Sequence, residues 1–177
     1  MTVEEFVAIS EADLRPMELI DGEVVVLSHP RMAHARAQAL LIGALVAWER
    51  RVPGRACVGG PTGVELGPHD FYGPDVVICR SRPRADNRGR LVDLPLICVE
   101  IRSPTTWQND VGRKKALYEA QGVPELWLVD DVARTVLVFR RSAPGLDYYD
   151  VGLELRETLI SPLLPGFELA LSELFEP

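Results

Sequence analysis

Glu100 stands in the middle of LICVEIR, residues 96–102, a run so apolar that it reads as a central strand covered on both faces. Side chains alternate along a strand, so Ile97, Val99 and Ile101 share one face while Cys98, Glu100 and Arg102 share the other. A buried carboxylate is costly unless it is paired or bound to a metal. The plain reading is a salt bridge to Arg102. Asp75 widens the choice, because it opens a second apolar run, PDVVIC, with Pro74 at the strand start where a missing N–H does little harm. Two adjacent strands could bring Asp75 and Glu100 to one sheet edge. With the Ile101 carbonyl, such a pair suits an oxygen-liganding cation, Mg²⁺ or Mn²⁺. Taken alone, Asp75 is a loop-end aspartate after proline. Asp110, Lys114 and Tyr118 recur every four residues and share one helix face. Spacing alone reads Asp110 and Lys114 as an exposed pair contributing only ~0.2–0.5 kcal/mol.

The elements that must position these groups follow from local pattern. Thr2 and Glu5 form a capping-box signature for a first helix, with Phe6 and Ile9 on its apolar side. MELIDGEVVVLS reads as a β-hairpin turning at Asp21-Gly22. Ala33, Ala37, Leu40, Leu41, Ala44, Leu45 and Trp48 give a long helix over residues 31–51, closed by Pro53-Gly54. Residues 56–66 hold one or two short strands around Gly59-Gly60-Pro61, and 74–79 and 96–102 hold the two carboxylate strands. A helix over 108–121 stops at Gly122. Strands follow at 125–130, 135–140 and near 148–151, then further short strands and a helical turn at 171–175. This order predicts a single α/β domain over residues 1–177, a mixed β-sheet flanked by helices, with an N-terminal helix and hairpin added.

The net charge of −7 argues against a protein that coats nucleic acid non-specifically, because phosphate binding needs clustered cations. An enzyme holding acidic metal ligands in a cleft is still compatible with it. Cys57, Cys79 and Cys98 are odd in number and lack C-x-x-C spacing, so they read as small core residues in a reduced compartment, not zinc ligands. The start carries acids where a secretory signal carries cations, and no apolar run reaches transmembrane length. The expectation is a cytoplasmic protein without a membrane partner.

The stretches ELIDGEVV, PDVVI, VEIRSPTT, DVGRKKALYEAQGVPELWLVD and LPGFELALSELF, with the helix start around His34, resemble the Uma-two family of restriction-endonuclease-like proteins, a branch of the PD-(D/E)XK nuclease superfamily. The resemblance runs from about Glu18 to Phe175, and its most specific part is Val99 to Asp130. It implies a restriction-endonuclease-like core, with Asp75 and Glu100 as metal ligands and DNA as the partner. The superfamily's lysine usually stands two residues after the acid, where this chain has Arg102. In this branch the following helix supplies it, which points to Lys114, with Asp110 orienting it and Glu18 approaching as an outer carboxylate. Arg102 is a poor base but can stabilise phosphate charge. The implied activity is Mg²⁺-dependent endonucleolytic hydrolysis leaving a 5′-phosphate and a 3′-hydroxyl, by a homodimer or higher homo-oligomer. The alternative is a nuclease fold without catalysis, serving as a binding or assembly module.

Arg82, Arg84, Arg88 and Arg90, with Arg80 just before them, crowd the most basic part of the chain, residues 81–95. They read either as a solvated, mobile loop or as an arm contacting DNA phosphates. His34, alone at a helix start, reads as a packing or capping residue. His29 and His69 have no third partner at ligand spacing, and Ser103 lacks the glycine elbow of a nucleophile. Trp48 and Trp127 read as core.

Overall fold

The computed structural model describes residues 1–13, 15–87, 90–103 and 110–176, the side chains of residues 110 and 111 excepted. The chain begins with α1 (Val3–Ser10), whose capping box is made as expected: the Thr2 hydroxyl accepts the Glu5 N–H and the Glu5 carboxylate accepts the Thr2 N–H. Strands β1 (Met17–Ile20) and β2 (Glu23–Val26) pair around Asp21-Gly22. Both turn residues have positive φ, 52° and 76°, as a tight two-residue hairpin loop requires. Helix α2 (Met32–Arg51) follows, then β3 (Ala56–Gly59), β4 (Val64–Gly67), β5 (Asp70–Tyr72), β6 (Val76–Arg80) and β7 (Ile97–Ile101). A π-helical turn over Asp110–Lys114 leads into α3 (Lys115–Gln121), which Gly122 ends in the left-handed conformation at φ 87°. The rest is β8 (Glu125–Asp130), β9 (Thr135–Arg141), β10 (Tyr148–Leu153), β11 (Thr158–Ile160), β12 (Glu168–Ala170) and α4 (Leu171–Phe175).

Six strands form the main sheet in the order β10-β9-β8-β7-β6-β3, antiparallel except for the parallel β7–β8 pair. A smaller sheet has the order β2-β1-β5-β4. β5 was not foreseen, because three residues are too few to show a period. The architecture is the expected mixed sheet flanked by helices.

The central strands β6, β7 and β8 of the main sheet are buried on both faces. Val76, Ile78, Ile97, Val99, Ile101, Trp127 and Val129 pack against Ala37, Leu41, Leu45 and Trp48 of α2 and against Phe167 and Leu171. Val77, Cys79, Cys98, Leu126 and Leu128 pack on the other side against Tyr118 of α3, Tyr72 and Ile20. Each such aliphatic burial contributes ~1.5–3 kcal/mol. Alternation puts Glu100 on the Cys98 face, beneath α3 and beside the hairpin sheet.

Candidate active site

Val76 pairs with Val99 in antiparallel register, which sets Asp75 level with Glu100 at the open ends of β6 and β7. Asp75 Oδ2 accepts the Ile101 N–H at 2.7 Å, closing the gap where the ladder stops. Its backbone carbonyl accepts the Gln38 amide at 2.9 Å, and Oδ1 lies 3.1 Å from His34 Nε2. His34 and Gln38 are one turn apart on α2, so a single helix clamps Asp75 through side chain and backbone.

Glu100 accepts the Tyr118 hydroxyl at 2.8 Å and the Lys114 ammonium at 3.2 Å, both through Oε1. Lys114 also reaches Glu18 Oε1 at 2.8 Å, and that same oxygen accepts the Gly73 N–H at 2.9 Å. The Tyr72 ring covers the ammonium at 5.5 Å and meets Tyr118 edge-on. Lys114 is only 2% exposed, so the solvent-facing Asp110–Lys114 pair that spacing favours is not what forms on its side. The local reading failed because the acid that buries Lys114 comes from β1, far away in sequence. The Glu100–Arg102 bridge is likewise replaced: the Arg102 guanidinium pairs with Asp130 at 2.7 Å, and its carbonyl faces His34 Nδ1 at 3.3 Å. The side chain of Asp110 lies outside the described residues.

Glu18, His34, Gln38, Asp75, Glu100, Ile101 and Lys114 line one cavity of about 210 Å³, walled also by Pro16, Leu27 and Pro30 from the hairpin side. Burial lowers the affinity of His34 for a proton, but the Asp75 hydrogen bond and charge and the Arg102 carbonyl outweigh it, so its pKa is raised above the ordinary imidazole value. Burial, and then the negative Glu100, push the Tyr118 phenol far up, so it stays a donor to Glu100.

Glu18, Asp75 and Glu100 bring three carboxyl groups to the cavity that also receives the Lys114 ammonium. The second oxygen of Glu18 is buried with no hydrogen-bond partner. A hard divalent cation fits this donor chemistry. Among the described residues, no three His, Cys, Asp or Glu side chains stand close enough to form a finished cage. Lys114 and His34 already hold the acids as internal donors.

The sequence reading took His34 for a packing or capping residue and did not single out Gln38. The available signal was two polar residues four apart on the stripe that otherwise carries Ala37, Leu41 and Leu45. The basic segment folds back on itself: Asp86 N–H bonds to the Arg90 carbonyl and Val92 N–H to the Arg84 carbonyl. Arg84 pairs with Asp93 and Arg90 with Asp86, each at 2.7 Å. Arg82 is exposed at φ 57°, and Arg88 lies outside the described residues. No helix among the described residues is long and apolar enough to cross a membrane.

A crystal structure described as "a putative nuclease belonging to DUF820 from Anabaena variabilis ATCC 29413" shares this fold, with a TM-score of 0.81 and 21% identity over 99% of this chain and 97% of that one. No curated protein matches the chain. The profile of the Uma2 family, described as "Putative restriction endonuclease", matches residues 3–172, and with nearly its whole length covered the chain belongs to that family.

Proposed function

We propose that the chain is a divalent-metal-dependent endonuclease that hydrolyses DNA phosphodiesters. The observation that carries this reading is the convergence of Asp75, Glu100 and Lys114 on one cavity, from two strand ends and the π-helical turn. Asp75 and Glu100, with the Ile101 carbonyl, would hold Mg²⁺ or Mn²⁺. When bound, the ion supplies an acidified water and neutralises charge building on the phosphate. Lys114 orients that water and meets the negative charge of the attacked phosphate. Glu18 and Tyr72 keep the ammonium over the cavity, Tyr118 steers the Glu100 carboxylate, and Gln38 fixes the backbone beneath Asp75. Arg102, turned to Asp130, acts outside this group.

Cleavage of supercoiled and branched DNA with Mg²⁺ or Mn²⁺, beside Asp75→Ala and Lys114→Ala, tests the reading. Wild type should cut, leaving 5′-phosphate and 3′-hydroxyl ends, and both variants should be inert. Equal activity in all three, or none on any substrate, would remove its basis.

A second reading, a nuclease fold without catalysis, draws on the way Lys114 is already shared between two acids and on the lack of a finished cage among the described residues. Mn²⁺ binding without cleavage would favour it.

A further inference from the structure

We propose that Cys57 and Cys79 form a reactive thiol pair that is oxidised by a low-molecular-weight disulfide, closing to a reversible Cys57–Cys79 bond. Neither residue lines the cavity of Asp75 and Glu100.

Strands β3 and β6 are antiparallel, and their register sets Cys57 directly opposite Cys79. Val58 turns its N–H outward to the Glu49 carboxylate, and Ile78 turns its carbonyl away to accept the Leu96 N–H. The ladder bonds between the two strands therefore fall at Cys57 and Cys79, a pairing that holds α-carbons ~5.5 Å apart. Disulfides most often span α-carbons at ~5.5–6 Å. Opposed residues also point to one face of the sheet, with β-carbons ~4.5–5.5 Å apart, and a disulfide needs ~3.5–4.5 Å. Closing that gap of about 1 Å falls to β3, an edge strand of four residues paired with β6 alone.

The two thiols differ in access. Both line a cavity of about 200 Å³ bordered by Pro83, Arg84 and Leu91. Cys57 is half-buried, whereas Cys79 is only 3% exposed. Burial, and then the neighbouring Cys57, push the Cys79 thiol up to about 11. Attack on the incoming disulfide thus falls to Cys57. Its thiol gives a proton to solvent, and the thiolate bonds to one sulfur of the reagent, expelling the other as a thiolate that is reprotonated. Cys79 then loses its proton and attacks the Cys57 sulfur, expelling the second reagent thiol. Two protein thiols become one disulfide, and the reagent is reduced to two thiols. Cys98 packs on the same side but is fully buried, and the β6–β7 register sets it level with Val77, two residues from Cys79.

The test is to expose the reduced, folded full chain to oxidised glutathione and follow it by intact mass and peptide mapping. The wild type should lose about 2 Da, with the link mapped between Cys57 and Cys79, and dithiothreitol should reverse it. Cys98→Ser should behave alike. Cys79→Ser should stop with glutathione held on Cys57. Cys57→Ser, shown to be folded by circular dichroism, should form neither the link nor an adduct. In urea the preference for this pair should disappear, because the register that creates it is gone. A folded wild type that stays reduced, keeps glutathione on Cys57, or links Cys57 to Cys98 overturns the proposal, and so does an adduct on Cys79 in folded Cys57→Ser.

Discussion

The Lys114 ammonium lies 2.8 Å from Glu18, a carboxylate 96 residues away on β1, and the two are almost wholly shielded from water. The contact ties the N-terminal hairpin to the turn before α3. It carries an energetic consequence, because removing one member of a buried pair leaves the other uncompensated, at ~3–5 kcal/mol. Lys114→Met should destabilise the chain by about that amount in urea unfolding, since it takes the ammonium away from both Glu18 and Glu100. A loss below ~1 kcal/mol, typical of an exposed pair, would mean that the ammonium is not enclosed as described.

Tyr118→Phe isolates the hydrogen bond to Glu100, because the ring keeps its packing against Tyr72. A bond to a charged acceptor contributes ~1.5–3 kcal/mol, and a loss of this size is expected with the fold retained. Cleavage should fall as well, as Glu100 loses the donor that sets its orientation. Unchanged stability and rate would show that the hydroxyl steers nothing.

His34 links stability to pH. Its folded pKa is raised above the unfolded value, so the contribution of the charged pair with Asp75 is fully present below the unfolded pKa. That contribution is lost as pH rises through the raised folded pKa. In a chelator, the stability difference between wild type and His34→Gln should therefore be larger on the acid side and shrink toward alkaline pH. A difference that grows with pH has the wrong sign for this pair.

The arginines of residues 80–90 should not contribute equally to DNA binding. Arg84 is already paired with Asp93 and Arg90 with Asp86, whereas Arg82 makes no ion pair among the described residues. Each phosphate contact contributes a slope of ~0.9 in the logarithmic salt dependence. Arg82→Ala should lower the slope by about one contact, and Arg84→Ala by less. Equal effects would show that the paired arginines exchange partners on binding.

How far the site was legible in the sequence depended on how local its contacts are. Glu100 was visible because a single acid interrupts an apolar strand. Asp75 was visible because register between neighbouring strands brings strand ends together. Lys114 became a candidate through family resemblance alone: its spacing fits an exposed helix face, and its burial depends on Glu18 and Tyr72, which come from another sheet. His34 was read as packing because its partners, Asp75 and the Arg102 carbonyl, are 41 and 68 residues away. Of the expected helix over 108–121, residues 108 and 109 lie outside the described residues, and 110–121 form a π-helical turn followed by α3, a distinction that apolar periodicity does not register. The hairpin, the capping box and the Gly122 stop were legible because each is decided within a few residues.

Nicking of supercoiled plasmid in Mn²⁺ by wild type and by Glu100→Gln is the most direct test, because that substitution preserves shape while removing the charge at the centre of the cavity. Wild type should nick the plasmid, and folded Glu100→Gln should be slower by ~100-fold or more, the scale of losing a group that acts only in the transition state. Nicking at the same rate by both proteins would contradict a hydrolytic centre built on Asp75, Glu100 and Lys114.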